Sequence, residues 1–186
     1  MFIQTESTPN PATLKFLPGQ SVIPDGTADF PSADTASKSP LAERLFAVNG
    51  VSGVFFGRDF ITITKDESSE WDHIKPALLG VIMEHFQSGQ PVMRETSEVS
   101  AHAEHTGEDG EIVDQIKELL DSRVRPAVAQ DGGDITFYGF ERGIVYLQMQ
   151  GACAGCPSST MTLKMGIENL LRHYIPEVTE VRPVAV

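Results

Sequence analysis

An α+β fold in two small domains is predicted for this chain of 186 residues, and three observations predict it. Short alternating runs that read as strands are interspersed with stretches of helical period. Residues 91–110, rich in Ser, Thr, Glu and Gly, carry neither period and read as an acidic, flexible linker. The flanking pieces, 1–90 and 111–186, are each long enough for a small domain but too short for a deep core. Charge respects the same division: 6 basic against 11 acidic residues in the first piece, 1 against 5 in the linker and 7 against 10 in the last, within a total of -12.

In the first piece, Phe2 to Thr5 and Ala12 to Leu17 read as short strands around a turn at Thr8-Pro9-Asn10-Pro11. The Pro-punctuated residues from Pro18 to Pro40 read as a long loop. Leu41, Leu45 and Phe46 give a short helical stripe that ends near Asn49-Gly50. Val51 to Phe56 and Asp59 to Thr64 form a hairpin pattern, with Gly57-Arg58 near its turn. Ile74, Leu78, Ile82 and Phe86 recur every fourth position and predict a helix over Glu70 to Phe86, with Ser68 or Ser69 as its cap. No nucleophile elbow, phosphate-cradling glycine loop or acid–base pair stands out, so this piece reads as a binding or spacing module.

In the last piece, Ile112, Ile116, Leu119 and Leu120 form an amphipathic stripe, which Arg125-Pro126 kinks or ends. Asp131-Gly132-Gly133-Asp134 turns the chain. Ile135 to Phe140 and Ile144 to Met149 read as a hairpin through Glu141-Arg142-Gly143. A helix follows from Pro157 to about His173, with Met161, Met165 and Ile167 to Leu171 on its apolar face, and Val178 to Val184 reads as a last strand. No internal repeat is visible.

Composition narrows the function. A charge of -12 and a pI near 4.7 argue against general affinity for nucleic acid or anionic lipid. The longest apolar run, Ala77 to Met83, is too short to span a bilayer. The opening Met1-Phe2-Ile3-Gln4 lacks the pattern of an export signal, which suggests a cytoplasmic protein or, alternatively, a processed organellar one such as a mitochondrial matrix protein. The two cysteines, Cys153 and Cys156, are three positions apart, which fits a reducing compartment and metal or redox work.

Those cysteines sit in Gly151-Ala152-Cys153-Ala154-Gly155-Cys156-Pro157, between a strand and a helix. Pro157 suits the first helical position, which puts Cys156 at the helix N-terminus, where unpaired N–H groups and the dipole favour a thiolate. Four readings compete. Two chains could each donate a pair and close a four-thiolate site for iron–sulfur or zinc. His102 and His105 of the linker could complete a zinc site within one chain, although His102-Ala103-Glu104-His105 reads more simply as solvated linker. The pair could be a redox dithiol, though only 30 residues (186 − 156) follow Cys156. Or the cysteines could be small core residues, which an exposed strand-to-helix turn disfavours.

The ordered set Arg125-Pro126, Asp131-Gly132-Gly133-Asp134 and Cys153-Ala154-Gly155-Cys156-Pro157-Ser158-Ser159, with Thr162-Leu163-Lys164 and Gly166-Ile167-Glu168 on the helix, closely resembles the C-terminal domain of NifU-like (Nfu-type) proteins. Residues Thr8 to Gly19 resemble the N-terminal domain found on one branch of that family. The resemblance implies a non-enzymatic scaffold or carrier, with Cys153 and Cys156 of two subunits holding a shared [4Fe–4S] cluster. It also implies a homodimer when loaded, with apo iron–sulfur client proteins and upstream cluster-assembly proteins as partners. A thiol–disulfide oxidoreductase is the alternative from a different class.

The other candidates take bland readings. Asp131 and Asp134 make an incomplete calcium loop and are read as a turn. Met149, Met161 and Met165 are read as core packing, or alternatively as shielding a cluster from solvent, Trp71 as a helix-start packing residue, and His173 as a helix-end residue. Arg125 and Lys164 are read either as neutralising cluster charge or as solvated surface.

Overall fold

The computed structural model describes residues 1–94, 110–154 and 157–184, and the chain divides into two compact units, Met1–Ser97 and Glu98–Val186. Both mix helices with a sheet, as the α+β pattern predicts.

The first unit contains β1 (Gln4–Ser7), β2 (Thr13–Leu17), β3 (Ala28–Phe30), a 3-10 turn (Ala33–Lys38), α1 (Pro40–Phe46), β4 (Val51–Phe56), β5 (Ile61–Lys65) and α2 (Trp71–Ser88). Its antiparallel sheet has the order β1-β2-β5-β4-β3. Alternation sends Phe16, Ile61, Ile63, Val54, Phe56 and Phe30 to one core with Leu41 and Leu45 of α1 and Ile74, Leu78 and Ile82 of α2. Ser39 caps α1 by accepting the Ala42 N–H at 3.0 Å, with Pro40 just inside the helix. Trp71 is the helix-start residue expected, its indole N–H donating to the Pro11 carbonyl at 3.2 Å.

Two expectations for this unit need correction. The stretch 18–40 is not all loop: Ala28–Phe30 pairs with β4, and the Phe30 ring meets Phe56 edge-on at 5.3 Å. Neither Ser68 nor Ser69 caps α2, whose N-cap is Glu70. The serine hydroxyls are turned to Asp66 instead, and their hydrogen bonds hold its carboxyl below the ordinary carboxylate pKa.

The second unit runs α3 (Gly110–Leu119), a π-helical turn (Leu120–Val124), α4 (Arg125–Gln130), β6 (Gly133–Glu141), β7 (Ile144–Gly151), α5 (Pro157–Tyr174) and β8 (Glu180–Val184). β6 and β7 form the expected hairpin, turning at Arg142 and Gly143, both at positive φ. β8 lies parallel to β7, which requires a crossover, and α5 supplies it. Ile116, Leu120, Val124, Val128, Ile135, Val145, Leu147, Ile167, Leu171 and Val181 make the core.

Arg125-Pro126 does not end the first helix of this unit. The helix widens by one turn at Leu120–Val124 and resumes through Gln130. The wider turn absorbs the donor that proline lacks and the bulk of its ring. Met161 and Met165 also depart from expectation: they are 66% and 60% exposed, while Ile167 and Leu171 supply the buried side of α5. Met149 does pack against the core.

Candidate functional site

Cys153 lies two residues past the end of β7, at the point where the chain leaves the sheet for α5. The turn is folded back onto the start of β6. The Ala152 N–H donates to the Gly132 carbonyl at 3.2 Å, and the Ala154 N–H donates to Gly151 at 3.1 Å. Gly151, at φ 64, makes the sharp exit that this return requires. One turn into α5, the Thr160 hydroxyl donates to the Cys153 carbonyl at 3.2 Å.

The Cys153 side chain is not on an exposed turn, as the sequence suggests, but is 7% exposed. Gly133 makes the space. A β-carbon there would stand 2.6 Å from the Cys153 sulfur, 2.8 Å from the Gln150 carbonyl and 3.1 Å from the Cys153 nitrogen. The Asp131-Gly132-Gly133-Asp134 segment is therefore more than a turn: its second glycine forms one wall of the cysteine's seat.

Asp134, paired in register with Gln150, extends the same construction. Its carboxylate is 3% exposed and accepts from the Ile135 N–H at 2.8 Å. Arg125 closes on it in bidentate fashion, Nε to Oδ1 and Nη2 to Oδ2, both at 2.9 Å. Asp121, one turn upstream, takes the remaining Nη1 at 3.1 Å. Hydrogen bonding from Asp134 and then its charge hold the Arg125 guanidinium above its ordinary pKa. A chain of contacts thus runs from the π-helical turn through Asp134 to the two glycines and Cys153.

Of the residues singled out from sequence, Arg125 is partly exposed and is not turned to the cysteine. It is committed to Asp134, which with Asp131 holds no calcium-type loop. Lys164 pairs with Glu180 at 3.8 Å. His173 lies at the end of α5 with its ring 5.0 Å from that of Tyr174. Cys156, Gly155, His102 and His105 lie outside the described residues. Among the described residues no group of three or more His, Cys, Asp or Glu side chains is placed to hold a metal ion. No helix among them is long and apolar enough to cross a membrane. Sequence reasoning missed the roles of Gly133 and Asp134; the one signal was the Gly-Gly pair itself, which asks for close backbone approach as readily as for a turn.

A chain with one soft sulfur seated at the β7–α5 junction, and a second cysteine three positions on in the sequence, has chemistry suited to a thiolate-liganded metal. Residues 3–89 match the family described as scaffold protein Nfu/NifU N terminal, and residues 116–182 match the NifU-like domain. The mitochondrial NFU1 iron-sulfur cluster scaffold homologs of Drosophila sechellia and Drosophila ananassae are 56% and 57% identical over 185 residues, 99% of this chain. The chain spans 65% and 64% of the length of those relatives. The solution structure of a NifU-like protein from Saccharomyces cerevisiae is 28% identical, covering 52% of this chain and 87% of that one with a TM-score of 0.42.

Proposed function

The chain belongs to the Nfu/NifU family, and from that premise we propose that it is a non-catalytic carrier that holds a [4Fe–4S] cluster between Cys153 and Cys156 of two copies and passes it to apo-proteins. The proposal rests on one observation: Cys153 is seated against Gly133 at the β7–α5 junction, three positions from the chain's other cysteine. Two thiolates are half the usual ligand set of an iron–sulfur cluster, and a second copy supplies the other half. That the Drosophila relatives are iron-sulfur cluster scaffold homologs supports the cargo.

Delivery needs no redox step. An acceptor thiol gives its proton to a departing carrier thiolate, and the new thiolate takes its place on iron. Each iron–sulfur bond broken is replaced by one formed. A thiol–disulfide oxidoreductase is less well supported, because the relatives are described as iron-sulfur cluster scaffolds. Residues 91–110 serve in this reading as the linker between the two domains. The relatives are named mitochondrial, which favours the mitochondrion over the cytoplasm as the place of action.

Anaerobic reconstitution with iron and sulfide, followed by Mössbauer spectroscopy and native mass measurement, tests the proposal. The expected result is one [4Fe–4S] cluster per two chains, lost in Cys153→Ala and in Cys156→Ala with both units still folded. A monomer that takes no iron, or a chain that binds only zinc, overturns it.

A further inference from the structure

We propose that the outward face of α5 carrying Met161 and Met165 is the surface on which a second copy of this chain docks; the inference rests on the shared-cluster reading above. The two side chains are one helical turn apart and 66% and 60% exposed, about a third of a turn around α5 from its buried residues Ile167 and Leu171. Thr162, Gly166 and Asn169 share the exposed side of the helix. A β-carbon added at Gly166 meets nothing within 4 Å, so a neighbouring helix could approach closely there.

Charge selects the occupant. Each copy carries -12, and a two-fold contact sets each surface against its own image, so acidic surfaces repel themselves on dimerisation. From Gly151 to Gly166 the sequence has one charged residue, Lys164, which is paired with Glu180 at 3.8 Å. This stretch includes the cysteine loop and the first turns of α5. The face around Met161 and Met165 therefore carries little charge until the Glu168–Arg172 pair, at 3.8 Å, further along α5, and the shared-cluster reading sets it next to the half-site that a second copy must complete. Methionine suits it, since its flexible thioether packs against an identical neighbour without demanding one fixed shape.

The test uses the full chain and two double variants, Met161→Glu with Met165→Glu and Met161→Lys with Met165→Lys. Far-UV circular dichroism should match the native chain, because neither side chain contributes to the core. Each variant alone should dimerise at least ten-fold more weakly than the native chain and lose cluster in proportion. An equimolar mixture should recover both dimer and iron, because the faces would then carry opposite charge. Retention of dimer and cluster by each variant alone overturns the inference and leaves the shared cluster standing. Loss of dimer without recovery in the mixture also overturns it, since a face that meets its own image must be rescued by opposite charge. A native chain that holds a full cluster as a monomer overturns both the inference and the reading on which it rests.

Discussion

The Arg125 guanidinium and the Asp134 carboxylate meet in two parallel hydrogen bonds of 2.9 Å across the junction of α4 and β6. Asp134 is the buried member, its side chain 5% exposed against 38% for Arg125. The pair therefore fixes the start of β6, and with it Gly133, relative to the helix that begins after the π-helical turn. Its geometry makes the site depend on residues that never touch the sulfur.

Arg125→Ala should destabilise the second unit. Stranding one member of a buried pair costs about 3–5 kcal/mol; with the guanidinium more than a third exposed, about 2–3 kcal/mol is expected here. Arg125→Lys should recover only part, because an ammonium cannot reproduce the two-pronged contact. The one tryptophan, Trp71, lies in α2 of the first unit, so its fluorescence should unfold at the native urea midpoint while the circular dichroism transition moves lower. Coincident shifts of both signals would place the damage elsewhere.

Gly133→Ala tests the cysteine's seat. The new methyl group would overlap the Cys153 sulfur, and the Gln150 carbonyl beside it cannot move without breaking the β6–β7 ladder. Overpacking of this kind costs about 1–3 kcal/mol. The variant should fold, melt lower and bind less iron after anaerobic reconstitution. Gly139→Ala, in the same strand with nothing within 4 Å of the added carbon, is the control and should load as the native chain does. Equal loading by both variants would show that the close contact has no bearing on the site.

Much of this was legible in the sequence because it is local. Alternation located β2, β4 and β5, and the spacing of Ile74, Leu78 and Ile82 located α2, since each signal depends only on which face is buried. What escaped depends on tertiary partners. β3 is three residues long and is a strand because the β4 edge accepts it. Helix continues past Pro126 because a π-helical turn precedes it, and no periodicity announces that insertion. Arg125 and Asp134 are nine positions apart, in different elements, so their pairing follows from the fold alone. Met161 and Met165 were misplaced for the opposite reason: hydrophobicity alone assigns them to a core that Ile167 and Leu171 already fill.

The acid response of the first unit should divide between two groups of opposite sign. His85 is fully buried in α2, and neither ring nitrogen makes a well-formed hydrogen bond. Burial, opposed by weaker backbone hydrogen bonding at Pro91 and Gln90 and joined by repulsion from Arg44, holds its pKa below the ordinary 6.5. Below pH 6.5 the unfolded chain therefore takes up a proton that the folded chain refuses, and acid favours unfolding. Asp29 in β3 works the other way, because burial lifts its carboxyl from 3.8 to about 6. Between those values the folded chain keeps a proton that the unfolded chain releases. Its contribution to stability is complete below 3.8 and is lost as pH rises through about 6. Asp29→Asn should accordingly raise the Trp71-monitored melting temperature at pH 7.5, and the gain should shrink towards zero by pH 4. His85→Phe should show the reverse pattern, gaining most on acidification through pH 6.5 to 5, where the native imidazole must be forced to charge. The edge-on contact with Phe86, at 6.0 Å between ring centroids, should be kept by the new ring. A gain from Asp29→Asn of the same size at pH 4 and pH 7.5 would mean that packing, not titration, sets the cost of that carboxyl.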